Sequence, residues 1–151
     1  MHACTHARTC CSVISVLSVQ AEGVDLKIYC CDIIDFTKDL EGEFDAVWDR
    51  GAFGAINPDD RRGYATVVSS LMTRDCRYIA CVLYYGDKAR EEAGLPPDGA
   101  PHSIPLEQVQ EPFASLCQVE LLMKRPKDKN QLAGKPMSQE CGESIYVIKK
   151  C

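Results

Sequence analysis

Phe44-Asp45-Ala46-Val47-Trp48-Asp49-Arg50-Gly51 is the stretch on which the reading of the fold turns. A short apolar run follows the polar turn at 39–43 and ends in an acid, a base and a glycine. This is the pattern of a buried strand whose carboxyl end opens onto something polar, with Gly51 permitting a tight exit. In open α/β sheets ligands bind beyond the carboxyl ends of strands. Arg50 is always charged, and its planar fork suits a carboxylate. Taken alone, the Asp49–Arg50 pair reads equally well as a surface ion pair of little consequence. Trp48 is expected to pack in the core.

Downstream, Asn57-Pro58-Asp59-Asp60 reads as a helix start. Asn57 can cap free N–H groups, Pro58 suits the first helical position, and two carboxylates meet the positive end of the dipole. Tyr64, Val67, Val68 and Leu71 then recur at helical spacing and predict one apolar face. Residues 77–85 form a nearly continuous apolar run, as in a strand covered on both faces. A Gly- and Pro-rich loop is expected over 86–105. A second helix begins near Leu106, with Leu106, Val109, Phe113 and Leu116 on one face and Pro112 kinking or shortening it. Residues 119–123 and 144–149 are the last strand candidates. Upstream, 13–19 and 24–31 are β-rich and flank Gln20-Ala21-Glu22-Gly23, which predicts a hairpin. Strands and helices in alternation argue for an α/β layered fold with a mostly parallel sheet.

A second strand end, Tyr29-Cys30-Cys31-Asp32-Ile33-Ile34-Asp35, also carries suggestive groups. Asp32 can accept a hydrogen bond from an amine such as that of adenine, with Ile33 packed on the ring. Acidic residues also end strands simply to meet water.

Composition excludes several classes. The formal net charge is −5, and only a loose basic run at 124–129 interrupts it. A nucleic-acid groove needs a clustered positive face, so no nucleic-acid partner is expected. The longest apolar runs fall far short of the roughly 20 residues that span a bilayer, so no membrane partner is expected. Ten cysteines are present, but Cys30, Cys31, Cys76 and Cys81 sit in or beside apolar runs, where a reduced thiol packs as a small hydrophobe. A reducing, cytoplasmic setting fits. Residues 1–15 read as an unstructured cysteine-rich leader. Its hydrophobic part is too short and serine-broken for a secretion signal, and His2, Cys4, His6, Cys10 and Cys11 match no zinc spacing. His102, among prolines, reads as a solvated loop residue rather than a general base.

At these residues a resemblance emerges. The 28–35 stretch, Phe44-Asp45-Ala46-Val47-Trp48-Asp49-Arg50-Gly51-Ala52, Ala55-Ile56-Asn57-Pro58-x-Asp60-Arg61, and Tyr78-Ile79-Ala80-Cys81-Val82-Leu83-x-Tyr85 resemble the thiopurine S-methyltransferase family. The similarity runs from about Val16 to Glu120, with an echo at 145–149. It implies a Rossmann-like class I methyltransferase sheet of order 3-2-1-4-5-7-6 with the last strand antiparallel. It also implies S-adenosyl-L-methionine as methyl donor and a small-molecule aromatic or heterocyclic thiol as acceptor. By motif, Asp32 and Ile33 correspond to the pair that holds adenine, and Arg50 to the arginine that faces cofactor and substrate. No residue is expected to form a covalent intermediate, since such enzymes work mainly by orientation and electrostatics.

The family's first strand, glycine-containing cofactor loop and ribose-binding acid would precede Val16. Its C-terminal arginine segment is not recognisable in 124–142. Residues 16–151 are therefore expected to form a partial, truncated domain with strands 3–7 present and the first two missing. Strands 4, 5, 7 and 6 would remain contiguous, while strand 3 would be orphaned or would pair onto the edge of strand 4. That edge invites self-association. The expectation is a fragment of low stability with little turnover. The alternative is an inactive isoform that acts as an interaction module with a full-length relative.

Overall fold

The structure, a computed structural model, describes residues 15–21, 23–97, 99–126, 131–132, 135–136 and 141–151. Nearly all of the 1–15 leader, with its histidines and cysteines, lies outside the described residues. The chain divides into two compact units that meet at Phe36 and Thr37.

The first unit contains the expected hairpin. Strand β1 (Ser15–Ala21) pairs antiparallel with β2 (Val24–Cys30), from Ser15↔Cys30 to Ala21↔Val24. Gly23 adopts φ +79°, a left-handed conformation that a side chain would strain. After β2 the chain makes a 3₁₀ turn over Ile33–Asp35, and the ring of Phe36 meets that of Tyr29 edge-on at 5.0 Å.

The second unit holds the core. A short helix α1 (Lys38–Glu41) stands where a plain turn was expected. Strand β3 (Phe44–Arg50) then runs parallel to β4 (Met72–Tyr85). Strand β4 is antiparallel to β8 (Cys141–Lys150), which is in turn antiparallel to β5 (Cys117–Pro126). A two-residue pair, β6 (Gln131–Leu132) and β7 (Lys135–Pro136), lies in the connection before β8. The four-stranded sheet has the order β3-β4-β8-β5. This is the contiguous 4-5-7-6 block of the expected sheet, with its antiparallel strand in the expected place. Strand β2, matched to strand 3, pairs with β1 in a two-stranded sheet of the first unit.

Among the described residues, four helices belong to this unit besides α1. Gly51 leads into α2 (Ala52–Ala55), and a 3₁₀ turn (Pro58–Asp60) leads into α3 (Arg61–Ser70). The Asn57 side chain does not cap this start; the Asn57 backbone carbonyl accepts from the Asp60 N–H at 3.0 Å instead. Helix α4 (Asp87–Ala93) occupies part of the expected loop, and Gly94 ends it at φ +71°. Helix α5 (Leu106–Phe113) contains Pro112 and stops one residue later, so the proline shortens it.

The predicted apolar faces meet the sheet on one side. Phe53, Tyr64, Tyr78 and Phe113 form a linked aromatic group with centroids 5.9 Å apart in each pair. Val109 and Phe113 of α5 are fully buried, as are Tyr78 and Ile148 of the sheet. Burying each such side chain contributes about 1.5–3 kcal/mol.

The opposite face of the sheet is different. Alternation along β3 puts Phe44, Ala46, Trp48 and Arg50 on one side, and all four are exposed. Across the sheet Trp48 stands beside Ile79 and Val147, and Arg50 beside Cys81 and Ile145. Trp48 is 65% exposed and Met123, on the β5 rim, 51%. The expectation that Trp48 packs in the core is therefore wrong, because period-two alternation commits it to the side opposite Asp49. Likewise β4 is covered unevenly: Tyr78, Ala80 and Val82 are buried on one face, while on the other Cys81 is buried but Ile79 and Leu83 are only half-buried.

Candidate functional site

Asp49 and Arg50 leave β3 in opposite directions and do different work. Asp49 is 4% exposed. Its Oδ2 accepts from Tyr64 Oη at 2.8 Å and Tyr78 Oη at 2.7 Å. Its Oδ1 accepts from the Ala52 N–H at 2.8 Å, and the Phe53 N–H reaches both oxygens at 3.1–3.2 Å. One carboxylate thus caps α2 and ties β3 to β4 and α3. Gly51 makes this geometry accessible at φ +97°, where the chain turns back over the acid. The surface Asp–Arg pair considered from the sequence does not form.

Arg50 points to the other face. Its Nη2 lies 3.6 Å from Oε1 of Glu143, on β8. Glu143 is nearly buried and also receives Nη2 of Arg125, which faces it directly from β5. Two guanidinium groups therefore share one carboxylate. Both arginines remain largely exposed, so the pairs contribute little to stability. Their value is the orientation they impose on the forks.

A cavity of about 170 Å³ opens beside Arg50, lined also by Gly51, Gly54, Cys81, His102 and Glu143. It lies past the carboxyl end of β3, where an α/β sheet places ligands. His102 lines it, its N–H donating to the Gly54 carbonyl at 3.0 Å and its Nε2 out of solvent. The solvated-loop expectation for His102 is corrected. Burial raises the Cys81 thiol above its ordinary range, and Glu143 adds to the shift, so Cys81 stays a neutral wall of the cavity.

Asp32 and Ile33 belong to the first unit and Arg50 to the second, and each is described in its own frame. Asp32 follows β2 and caps the 3₁₀ turn, its Oδ1 accepting from the Ile34 N–H at 3.0 Å. The Asp32 side chain is exposed and Ile33 half-buried. Arg125 and Glu143 were not found by sequence reasoning. Their only signal is opposite charge on two strand candidates, and its meaning depends on a register set by the bulge between Leu121 and Met123. Among the described residues, no group of three or more His, Cys, Asp or Glu side chains could hold a metal.

The sheet order, the antiparallel β8 and the cavity at the end of β3 together define a class I methyltransferase fold. The fold is shared with a structure solved in work on the conversion of a disulfide bond into a thioacetal group during echinomycin biosynthesis. The TM-score is 0.56 at 15% identity, over 80% of this chain and 53% of the other. Within that class the chain belongs to the thiopurine S-methyltransferase family, whose model matches residues 8–151. A probable thiopurine S-methyltransferase of Danio rerio is 36% identical over 97 residues, covering 64% of this chain. The thiopurine S-methyltransferase of Canis lupus familiaris is 35% identical over 100 residues, covering 66%. The aligned parts are 39% and 38% of those two proteins, so the chain spans well under half the length of the curated relatives it matches.

Proposed function

We propose that this chain supplies the acceptor-facing side of an S-adenosyl-L-methionine-dependent S-methyltransferase acting on aromatic or heterocyclic thiols. The observation that carries the reading is the Arg50–Glu143–Arg125 triplet beside the Arg50 cavity. A thiolate nucleophile bears a full negative charge, and a preorganised cation at the end of the strand holds it without reorganisation. Glu143 meets both forks and keeps that of Arg50 in place. Aromatic thiols ionise readily near neutral pH, so no dedicated base is required.

S-adenosyl-L-methionine, when bound, supplies an electrophilic methyl group on a sulfonium. The residues here fit part of that molecule. Asp32 uses Oδ1 in its own turn and leaves Oδ2 to accept from an adenine amine, with Ile33 beside it. The Arg50 cavity is smaller than the roughly 300–1,000 Å³ of sites that enclose whole ligands, and it suits the reacting end of an acceptor. Arg50 faces both cofactor and acceptor, Glu143 orients Arg50, and Gly51 and Gly54 let a ligand approach the backbone. Turnover by this chain alone is expected to be low, because these residues hold only part of the cofactor.

The test is calorimetric titration of the purified chain with S-adenosylhomocysteine, beside an Arg50→Ala variant. Binding at least tenfold weaker in the variant supports the assignment; equal affinity in the two overturns it. Rapid methylation of thiophenol by the chain would overturn the expectation of low turnover.

The alternative, an inactive isoform that acts as an interaction module with a full-length relative, is not favoured by the family match. Phe44 and Trp48 nevertheless lie exposed on β3, an outer strand of the described sheet.

A further inference from the structure

The Asn57-Pro58-x-Asp60-Arg61 block has no part in the site above, yet it ends in the most deeply buried cation described. Arg61 is 4% exposed at the start of α3. Its Nη1 donates to Oε1 of Gln108 on α5 at 2.8 Å, and its guanidinium lies 5.6 Å from the centroid of the Phe53 ring. Among the described residues no carboxylate lies within 4.0 Å of it. Its buried Nε has no hydrogen-bond partner.

A guanidinium taken from water without an opposite charge is strongly disfavoured. An amide oxygen and a ring face compensate little of that loss. The unused edge, Nε with Nη2, is also the edge that grips two oxygens of a carboxylate or phosphate in parallel. Arg61 lines a cavity of about 310 Å³ with Pro58, Arg62, Gln108, Glu111 and Pro112. Two arginines and one carboxylate make its walls net positive. The position is built into the chain: Pro58 starts the turn that aims Arg61 between α3 and α5, and Gln108 fixes one end of the fork.

We propose that this cavity is a binding site for an oxyanion, a carboxylate or phosphate group gripped by the Nε–Nη2 edge of Arg61. Glu111 is the one acidic wall and competes with the ligand for that edge. Burial lowers the affinity of Arg61 for its proton, with no neighbouring charge contributing, in keeping with a cation that lacks a counter-ion within the chain.

The test uses inorganic phosphate and benzoate as probes on the full chain, with ionic strength held constant by chloride. Saturating phosphate or benzoate raises Tm by about 5 °C or more. Arg61→Met abolishes that rise while keeping or raising Tm in anion-free buffer, since it removes an uncompensated buried charge. Glu111→Gln tightens binding of the same probe several-fold. Should Arg61→Met fail to fold, the wild-type Arg61 Nε–H resonance must shift on titration with the same midpoint as the Tm rise. The proposal is overturned by an unresponsive wild type, by an equal rise in Arg61→Met, by unchanged or weaker binding in Glu111→Gln, or by a stationary Nε–H signal.

Discussion

Tyr78 Oη donates to Asp49 Oδ2 over 2.7 Å, so two neighbouring parallel strands are joined by side chains as well as by their backbones. Tyr64 reaches the same oxygen from α3, and two N–H groups of α2 reach the carboxylate from beyond Gly51. Asp49→Ala strands three buried donors and the part-buried Ala52 N–H, and is expected to cost roughly 3–4 kcal/mol. Tyr78→Phe removes one bond to a charged acceptor and is expected to cost about 1.5–3 kcal/mol. Urea unfolding at unchanged slope measures both; a Tyr78→Phe midpoint equal to wild type would refute the role given to this hydroxyl.

Alkali should unfold the chain early. Burial above all, then the neighbouring Asp49 carboxylate, lifts the Tyr64 phenol above its ordinary 10.0; Tyr78 is lifted by burial, then by Tyr64 and Asp49. Burial likewise lifts the Cys76, Cys81 and Cys117 thiols above 9.0. Each group holds its proton more firmly folded than unfolded. Its contribution is therefore whole below the unfolded value and drains away as pH climbs past 9 to 10. Tm should be insensitive to these groups near neutrality and fall steadily from about pH 9 upward. A Tm that stays level to pH 11 would contradict the buried network.

The chain should self-associate through β3. Trp48 is its single tryptophan and is 65% exposed, so its fluorescence reports the contact directly. Emission of the dilute chain should be red-shifted and quenched by iodide, moving to the blue as concentration rises. Trp48→Lys places a charge on the edge and should weaken association at least tenfold in sedimentation experiments. A monomer at all concentrations with unshifted emission would rule this out.

Gly142 should tolerate no side chain. A Cβ there would stand 2.7 Å from Tyr84 Oη and also against the Arg125 carbonyl. Gly142→Ala is expected to cost about 1–3 kcal/mol by overpacking. Adding Tyr84→Leu should recover part of that loss, the backbone clash remaining. Full tolerance of alanine in thermal melts would show that β4, β8 and β5 are less tightly joined here than described.

Much of the fold was legible. Helical spacing of Tyr64, Val68 and Leu71 marked the buried face of α3, and the apolar run ending at Tyr85 marked β4. Helix α4 was missed because Gly and Pro after it dominated the reading of 86–105. Yet Asp87 opens it and Gly94 closes it, and the residues between are good helix formers. Trp48 was misplaced because apolar character alone does not say which face of a strand has cover. The site was half legible. Arg50 announced itself at a strand end, whereas Glu143 and Arg125 meet it only through the pairing of strands far apart in sequence. Arg61 was noticed only as part of a motif, since burial of a charge leaves no local trace.

Strand β8 follows β5 in the chain but stands between β4 and β5 in the sheet. During vectorial synthesis, β4 and β5 are both made before β8, the strand that will separate them. Until then each displays a raw edge and a half-covered apolar face, and a premature β4–β5 pairing would occupy the slot reserved for β8. A nascent chain of this design leaves those edges unpaired until β8 has been made. Variants that weaken β8 should accordingly lower yield in cells more than their equilibrium stability suggests.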